Sequence, residues 1–370
     1  MKNSEVQANP QRTYYTALAS AQCFAAVMIM MRHYAFFLPP EFSTLSDAIG
    51  RLNFVEFFFA ASGFVLVTRY RSEQPLFMSF IFKRLSAFYP LHVITAMFYA
   101  AMVLAARFGF LHGLNDRNQL SDLPYILSLT HAWGFLDHFS FNYPSWYLSA
   151  QFGAYLIFLP ALFLLQRDKQ WILIATAIGM IVALVAVSEL PGQQHWTDWS
   201  YHFGVVRAVP TFLLGMLIGW NIATIKGAFR SSIPVAIIFV LTLAGMMVYV
   251  LPTVSYCLLQ VLLVLFLVAP EANGSPVPVL SSPRLRSLHD LSFPLFLLHI
   301  PVATVLLSFL FRNQLHGSRA FFFIAVTMVL AILASAAYRT GITALFSRVR
   351  GSATYKRTLN VPSAEGQTQK

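Results

Sequence analysis

Ten apolar runs, each long enough or nearly long enough to cross a bilayer, occupy most of this 370-residue chain. They lie at about 15–38, 52–69, 86–108, 145–165, 171–189, 204–224, 232–251, 253–269, 290–311 and 320–346. A hydrocarbon core needs about 20 apolar residues in a helix to span it. In lipid every backbone polar group must be paired internally, so runs of this length fold as α-helices. The sequence therefore predicts an all-α fold, a polytopic transmembrane helical bundle of about ten helices spanning 15–346. Charged residues make up only 11% of the chain, against about 25% in a soluble domain. The stretch 123–136 is too short to cross and is predicted to be re-entrant or interfacial. Two polar tails flank the bundle, 1–14 and the basic 347–370, and the second is expected to be disordered.

The net charge of +11 does not indicate nucleic acid, because the basic residues sit in short loops rather than in a stripe on a soluble domain. With both termini in the cytoplasm, 18 of the 25 Lys and Arg residues fall on the cytoplasmic side. The positive-inside rule thus predicts an N-in/C-in topology. Cys23 and Cys257 both lie in apolar runs and imply neither a disulfide framework nor a metal site.

An ionisable residue inside a membrane-length run is costly and marks a candidate site. His33, near the outer end of the first run, is the foremost example, and Glu56 near the outer end of the second is expected at a similar depth. Gln22 stands eleven residues before His33, about three turns along one helix face. Ser62-Gly63 reads as a close helix-packing point. His299 lies mid-run, where it must be paired. His131, His138, His195 and His202 fall in or near outer loops without zinc-like spacing and are expected to be solvated or acceptor-facing; no metal site is expected.

Five stretches in order carry a resemblance. They are LASAQCFAAVMIMMRHY ending at Tyr34, FVEFFFAASGFVL at 54–66, FKRLSAFYPLH at 82–92, PSWYLSAQFGAYLIFLP at 144–160 and LSFPLFLLHIPV at 291–302. Together they resemble the acyltransferase-3 family of integral membrane O-acyltransferases, over roughly 12–345. The resemblance implies transfer of an acyl group, taken as acetyl, from a cytoplasmic acyl-CoA co-substrate to a hydroxyl of an extracytoplasmic glycan or glycolipid. It implies no bound cofactor, and a multi-pass protein of the cell (inner) membrane. His33 would be the general base, since imidazole titrates near neutrality. Glu56 would orient it and stabilise its cation. Gln22, Lys83 and Arg84 would bind the donor, the last two through its phosphates. Trp146, Ser149 and Gln151 would contact the acceptor.

The sequence departs from the family's pattern at three places. Gln22 replaces an Arg eleven residues before the His, Ala87 replaces the second Arg of R-x-x-R, and Gln151 replaces the Glu after W-S-L-S. Each exchange removes a charge. Two other readings therefore stand beside the enzyme: a non-catalytic member that binds glycolipid or a partner, and a transporter or flippase. A transporter commonly shows repeated halves, and no repeat is evident here.

Overall fold

The computed structural model describes residues 15–109, 118–228, 231–248, 253–311, 315 and 317–359. The tail 1–14, residues 360–370 of the second tail, and Arg117, Arg230 and Arg312 lie outside the described residues. Among the described residues there are helices and no strands. Twelve α-helices follow in chain order: α1 Thr16–Ala35, α2 Ser43–Gly50, α3 Val55–Tyr70, α4 Phe77–Arg107, α5 Leu123–Leu127, α6 Trp146–Gln166, α7 Gln170–Ser188, α8 Gly204–Ile225, α9 Ile233–Val248, α10 Thr253–Ala272, α11 Pro283–Val305 and α12 Ser318–Leu359. All but α2 and α5 coincide with the ten apolar runs. Among the described residues, eight helical segments are long and apolar enough to cross a membrane, and the fold is that of a multi-pass membrane protein. Helix α9, at 16 residues, and α1, diluted by Gln22, Arg32 and His33, are not among the eight.

Some boundaries depart from the sequence reading, among them the start of α11 at Pro283, seven residues before the predicted run. Helix α4 begins at Phe77, nine residues before the predicted start, and carries Pro90 inside it rather than at its head. Neighbouring polar groups can serve a backbone carbonyl freed by proline in such helices. Helix α12 continues to Leu359, through the first part of the tail expected to be disordered. The 123–136 stretch holds only the short α5 and then turns back on itself, with Leu129 at φ 58°, as a non-spanning segment must.

The bundle is organised by close helix pairs. Helices α3 and α8 meet most intimately, because Gly63 and Gly215 let the backbones touch. A Cβ on Gly63 would stand 2.1 Å from the Phe212 carbonyl oxygen, and one on Gly215 would stand 2.0 Å from that of Ala60. This is the packing role expected of Gly63. Helix α1 packs chiefly on α11, and α8 also packs on α6, α7 and α10. Exposed Trp171, Ile178 and Val182 on α7, and Phe322, Val329 and Leu333 on α12, mark these helices as peripheral.

Helix α10 satisfies two helix starts that lipid could not. The first N–H groups of any helix lack intrahelical partners. Glu271 accepts the Ala17 N–H through both oxygens, at 3.0 and 3.1 Å. Gln260 accepts the Phe57 N–H at 2.9 Å and donates to the Asn53 carbonyl at 3.0 Å. Helices α1 and α3 are thus both anchored at their starts by α10.

Candidate functional site

The packing of α1 on α11 brings His33 and His299 into direct contact. His33 Nδ1 lies 2.8 Å from His299 Nε2. The ring planes agree within 2° and the centroids are 5.1 Å apart, so the rings share one line through the two nitrogens. The second nitrogen of His299, Nδ1, faces the Leu295 carbonyl one turn back at 3.1 Å. A carbonyl only accepts, so His299 Nδ1 carries the proton. Neutral His299 then presents a lone pair at Nε2, and His33 Nδ1 must donate to it. His33 Nε2 is left with its own lone pair and, among the described residues, without a hydrogen-bond partner. His33 is half-buried whereas His299 is fully buried. The pair can therefore accept a proton at His33 Nε2 and spread the resulting charge toward α11.

The surroundings hold this geometry. The Tyr34 hydroxyl donates to the His299 carbonyl at 3.0 Å. The Tyr143 ring stands edge-on to His33 with centroids 5.1 Å apart. Asn142 Nδ2 donates to the Leu297 carbonyl at 2.9 Å, tying the loop before α6 to α11. Arg32 Nη1 donates to the Gly50 carbonyl at 2.5 Å, fastening α1 to the end of α2.

Glu56 stands apart from this pair, which corrects the sequence reading. Its carboxylate is 2% exposed and receives Arg207 Nε at 2.6 Å. Arg207 Nη1 donates to the Trp199 carbonyl at 3.1 Å, and its guanidinium lies over the Trp146 ring at 5.3 Å. The partner that orients His33 Nδ1 is His299, 266 residues away. The place of Arg207 four residues into an apolar helix was the available signal, since a buried charge requires a counter-ion and Glu56 stood within another apolar run.

Two residues assigned to the acceptor are structural. Ser149 is fully buried; its hydroxyl donates to the Leu129 carbonyl at 2.7 Å and accepts the Ala132 N–H at 3.0 Å. Trp146 is covered by Arg207 and by Gly204, where even a Cβ would meet the indole at 2.8 Å. Neither side chain is displayed to a ligand. Gln151 is buried as well, but it belongs to a longer feature.

Tyr147, Gln151 and Tyr155 recur every four residues and form one stripe along α6. The Tyr147 hydroxyl donates to Gln151 Oε1 at 3.0 Å. Gln151 Nε2 is buried and, among the described residues, without a partner. The Tyr155 hydroxyl meets Ser62 and lies within electrostatic range of Arg84. At the other end the Tyr147 ring packs on Phe296 at 5.5 Å, and Phe296 on His299 at 6.3 Å. The stripe links the Arg84 end of the bundle to the His pair. Arg84 Nε is itself buried and, among the described residues, unpartnered, whereas Lys83 and Ala87 are exposed. Gln22 is half-buried and, among the described residues, makes no hydrogen bond.

The loop histidines diverge from one another. His131, expected to be solvated, is fully buried: its Nε2 lies 3.3 Å from the Ser145 hydroxyl and its ring lies parallel to His92 within 8°. Burial, with His92 nearby, pushes its pKa down to about 3, so it stays neutral. His138 is partly exposed between Asp137 at 2.8 Å and Asp122 at 3.0 Å. Asp122 also accepts from Ser140 at 2.6 Å, and the Ser140 carbonyl accepts from Tyr201 at 2.6 Å. His195 bonds Thr197 at 2.8 Å, and of these four histidines only His202 is exposed.

Against known proteins, a family model described as an acyltransferase domain, Acyl_transf_3, matches residues 16–338. No curated protein and no solved structure matches the chain.

Proposed function

The chain belongs to the acyltransferase-3 family, and from that premise we propose that it moves an acyl group, taken as acetyl, from a cytoplasmic acyl-CoA to a hydroxyl of an extracytoplasmic glycan or glycolipid. The single observation that carries this reading is the His33–His299 pair, because it leaves a free imidazole lone pair at His33 Nε2. His33 Nε2 takes the proton of the acceptor hydroxyl as that oxygen attacks the thioester carbonyl. The carbon–sulfur bond breaks, and the proton passes from the imidazolium to the departing thiolate. During the step His299 accepts from His33 Nδ1–H, as a carboxylate does in a triad, though without a full negative charge.

On the donor side, Arg84 and Lys83 are the phosphate-binding groups, with Arg84 suited to bidentate contact. The α6 stripe gives a thioester arm a polar route between Arg84 and His33, and the buried, unpartnered donors Gln151 Nε2 and Arg84 Nε support it. Glu56 acts here as the counter-ion of Arg207. The N-in/C-in topology and the inner membrane belong to the same proposal.

The decisive experiment compares surface glycans by mass spectrometry from cells with and without the gene. A missing acyl increment in the deletion supports the reading; identical glycans with unchanged glycolipid export count against it. The unpartnered Gln22 favours a second reading, a glycolipid-binding member without turnover. Acyl-group binding without transfer by purified protein would select that one.

A further inference from the structure

A cavity of about 520 Å³ lies among α1, α3, α9, α10 and the loop at 277–280. Protein interiors pack as densely as organic crystals and seldom hold a void larger than a water molecule. The void lies beside the small residues Ala21 and Ala25 of α1, with Phe24 of the same helix at its edge. Its walls are apolar, with Phe239 on one side and Leu263 and Leu267 on the other, and among the described residues Ser232 is the one polar lining residue. Water entering a cavity needs two to four polar partners, so this one calls for hydrocarbon. The rim reaches the surface of the bundle. Phe24 and Ile233 line the cavity and are 37% and 68% exposed, and Phe24 meets Phe239 edge-on at 5.1 Å.

The same face of α1 bears a charge farther along. Ala21, Ala25 and Arg32 share one side of the helix, and Arg32 stands about 10 Å beyond Ala25. Arg32 spends one Nη1 contact on the Gly50 carbonyl. Arg207, Glu56, Tyr143 and Asp198 lie within its electrostatic range. Glu56 is engaged by Arg207, and Asp198 is exposed. The next residue after Arg32 is His33.

We propose that the cavity holds the hydrocarbon tail of a lipid-phosphate-linked acceptor, with its phosphate at Arg32 and its sugar hydroxyl presented to His33. This rests on the acyl-transfer reading and specifies the acceptor class. The tail supplies affinity through apolar burial, and the guanidinium supplies a charge-assisted contact to the phosphate.

The test is photolabelling of the full-length protein in lipid nanodiscs. The probe is a long-chain alkyl monophosphate carrying a diazirine near mid-chain, and labelled residues are read by peptide mass spectrometry. The expected adducts fall on Phe24, Phe239, Leu263 or Leu267 and are displaced by unlabelled alkyl monophosphate. Ala25→Trp, which fills the void, abolishes them, and Ala21→Leu reduces them should the larger residue prevent folding. Arg32→Gln lowers labelling about tenfold. Adducts confined to α7 and α12 would overturn the proposal. So would equal labelling of the cavity by a diazirine phosphatidylcholine that alkyl monophosphate does not displace. Labelling needs no turnover: specific labelling without acyl transfer contradicts only the catalytic reading, and transfer without cavity labelling contradicts only this one.

Discussion

His33 Nδ1 donates to His299 Nε2 across 2.8 Å, joining α1 to α11 through two coplanar rings. The direction of that bond is set one step away, where His299 Nδ1 must serve the Leu295 carbonyl. Replacing His299 with Gln therefore removes a positioning residue, not the base. Glutamine can still accept from His33 Nδ1 but cannot share an imidazolium charge. The expected result is a fall in kcat of about tenfold to a hundredfold, with donor KM little changed and a displaced pH–rate profile. A merely structural role would lower the amount of folded protein and leave the profile where it was.

The Glu56–Arg207 pair predicts a stability effect where a catalytic carboxylate would give a rate effect. Glu56→Ala leaves Arg207 as an uncompensated buried cation, which costs about 3–5 kcal/mol. The double variant Glu56→Ala with Arg207→Met recovers much of that loss, because neither charge remains. Thermal denaturation of the four proteins in detergent reads the coupling directly.

At the α3–α8 crossing, Gly63→Val forces the backbones apart, since its first carbon alone would sit 2.1 Å from the Phe212 carbonyl oxygen. The expected outcome is loss of the folded protein, seen as aggregation in size-exclusion chromatography. Gly179→Val on α7, where a Cβ meets nothing within 4 Å, is the matched control and should elute normally.

The loop over the His33 end should respond to pH. The hydrogen bond to Asp137, with Asp122 adding, holds His138 above its ordinary value. A raised folded value means that the ion-pair contribution is complete below the unfolded value of about 6.5 and fades as pH rises through the folded one. Hydrogen-exchange protection factors across 118–145, taken relative to the intrinsic exchange rate at each pH, should fall over that interval, and His138→Gln should flatten the dependence.

Ten of the helices were legible because lipid imposes one solution on a long apolar run, and Gly63 declared its role by its size. The start of α4 was not, because Phe77–Leu85 carries Lys83 and Arg84 and reads as a basic loop. His33 stood out alone because a histidine in such a run is costly. Its partner was hidden, since no local periodicity links residues 33 and 299. Trp146 and Ser149 were misassigned for a related reason. An N-terminal helical turn near the membrane boundary resembles an accessible one, and only the fold reveals that Arg207 and the 129–132 turn already occupy it.

The central claim is that His33 Nε2 takes the acceptor's proton. The most direct measurement is transfer of labelled acetyl groups from acetyl-CoA in membranes holding equal amounts of wild-type protein and His33→Gln. The account predicts that the variant loses transfer by about 10²–10⁴-fold while remaining folded. Undiminished transfer by His33→Gln would contradict it.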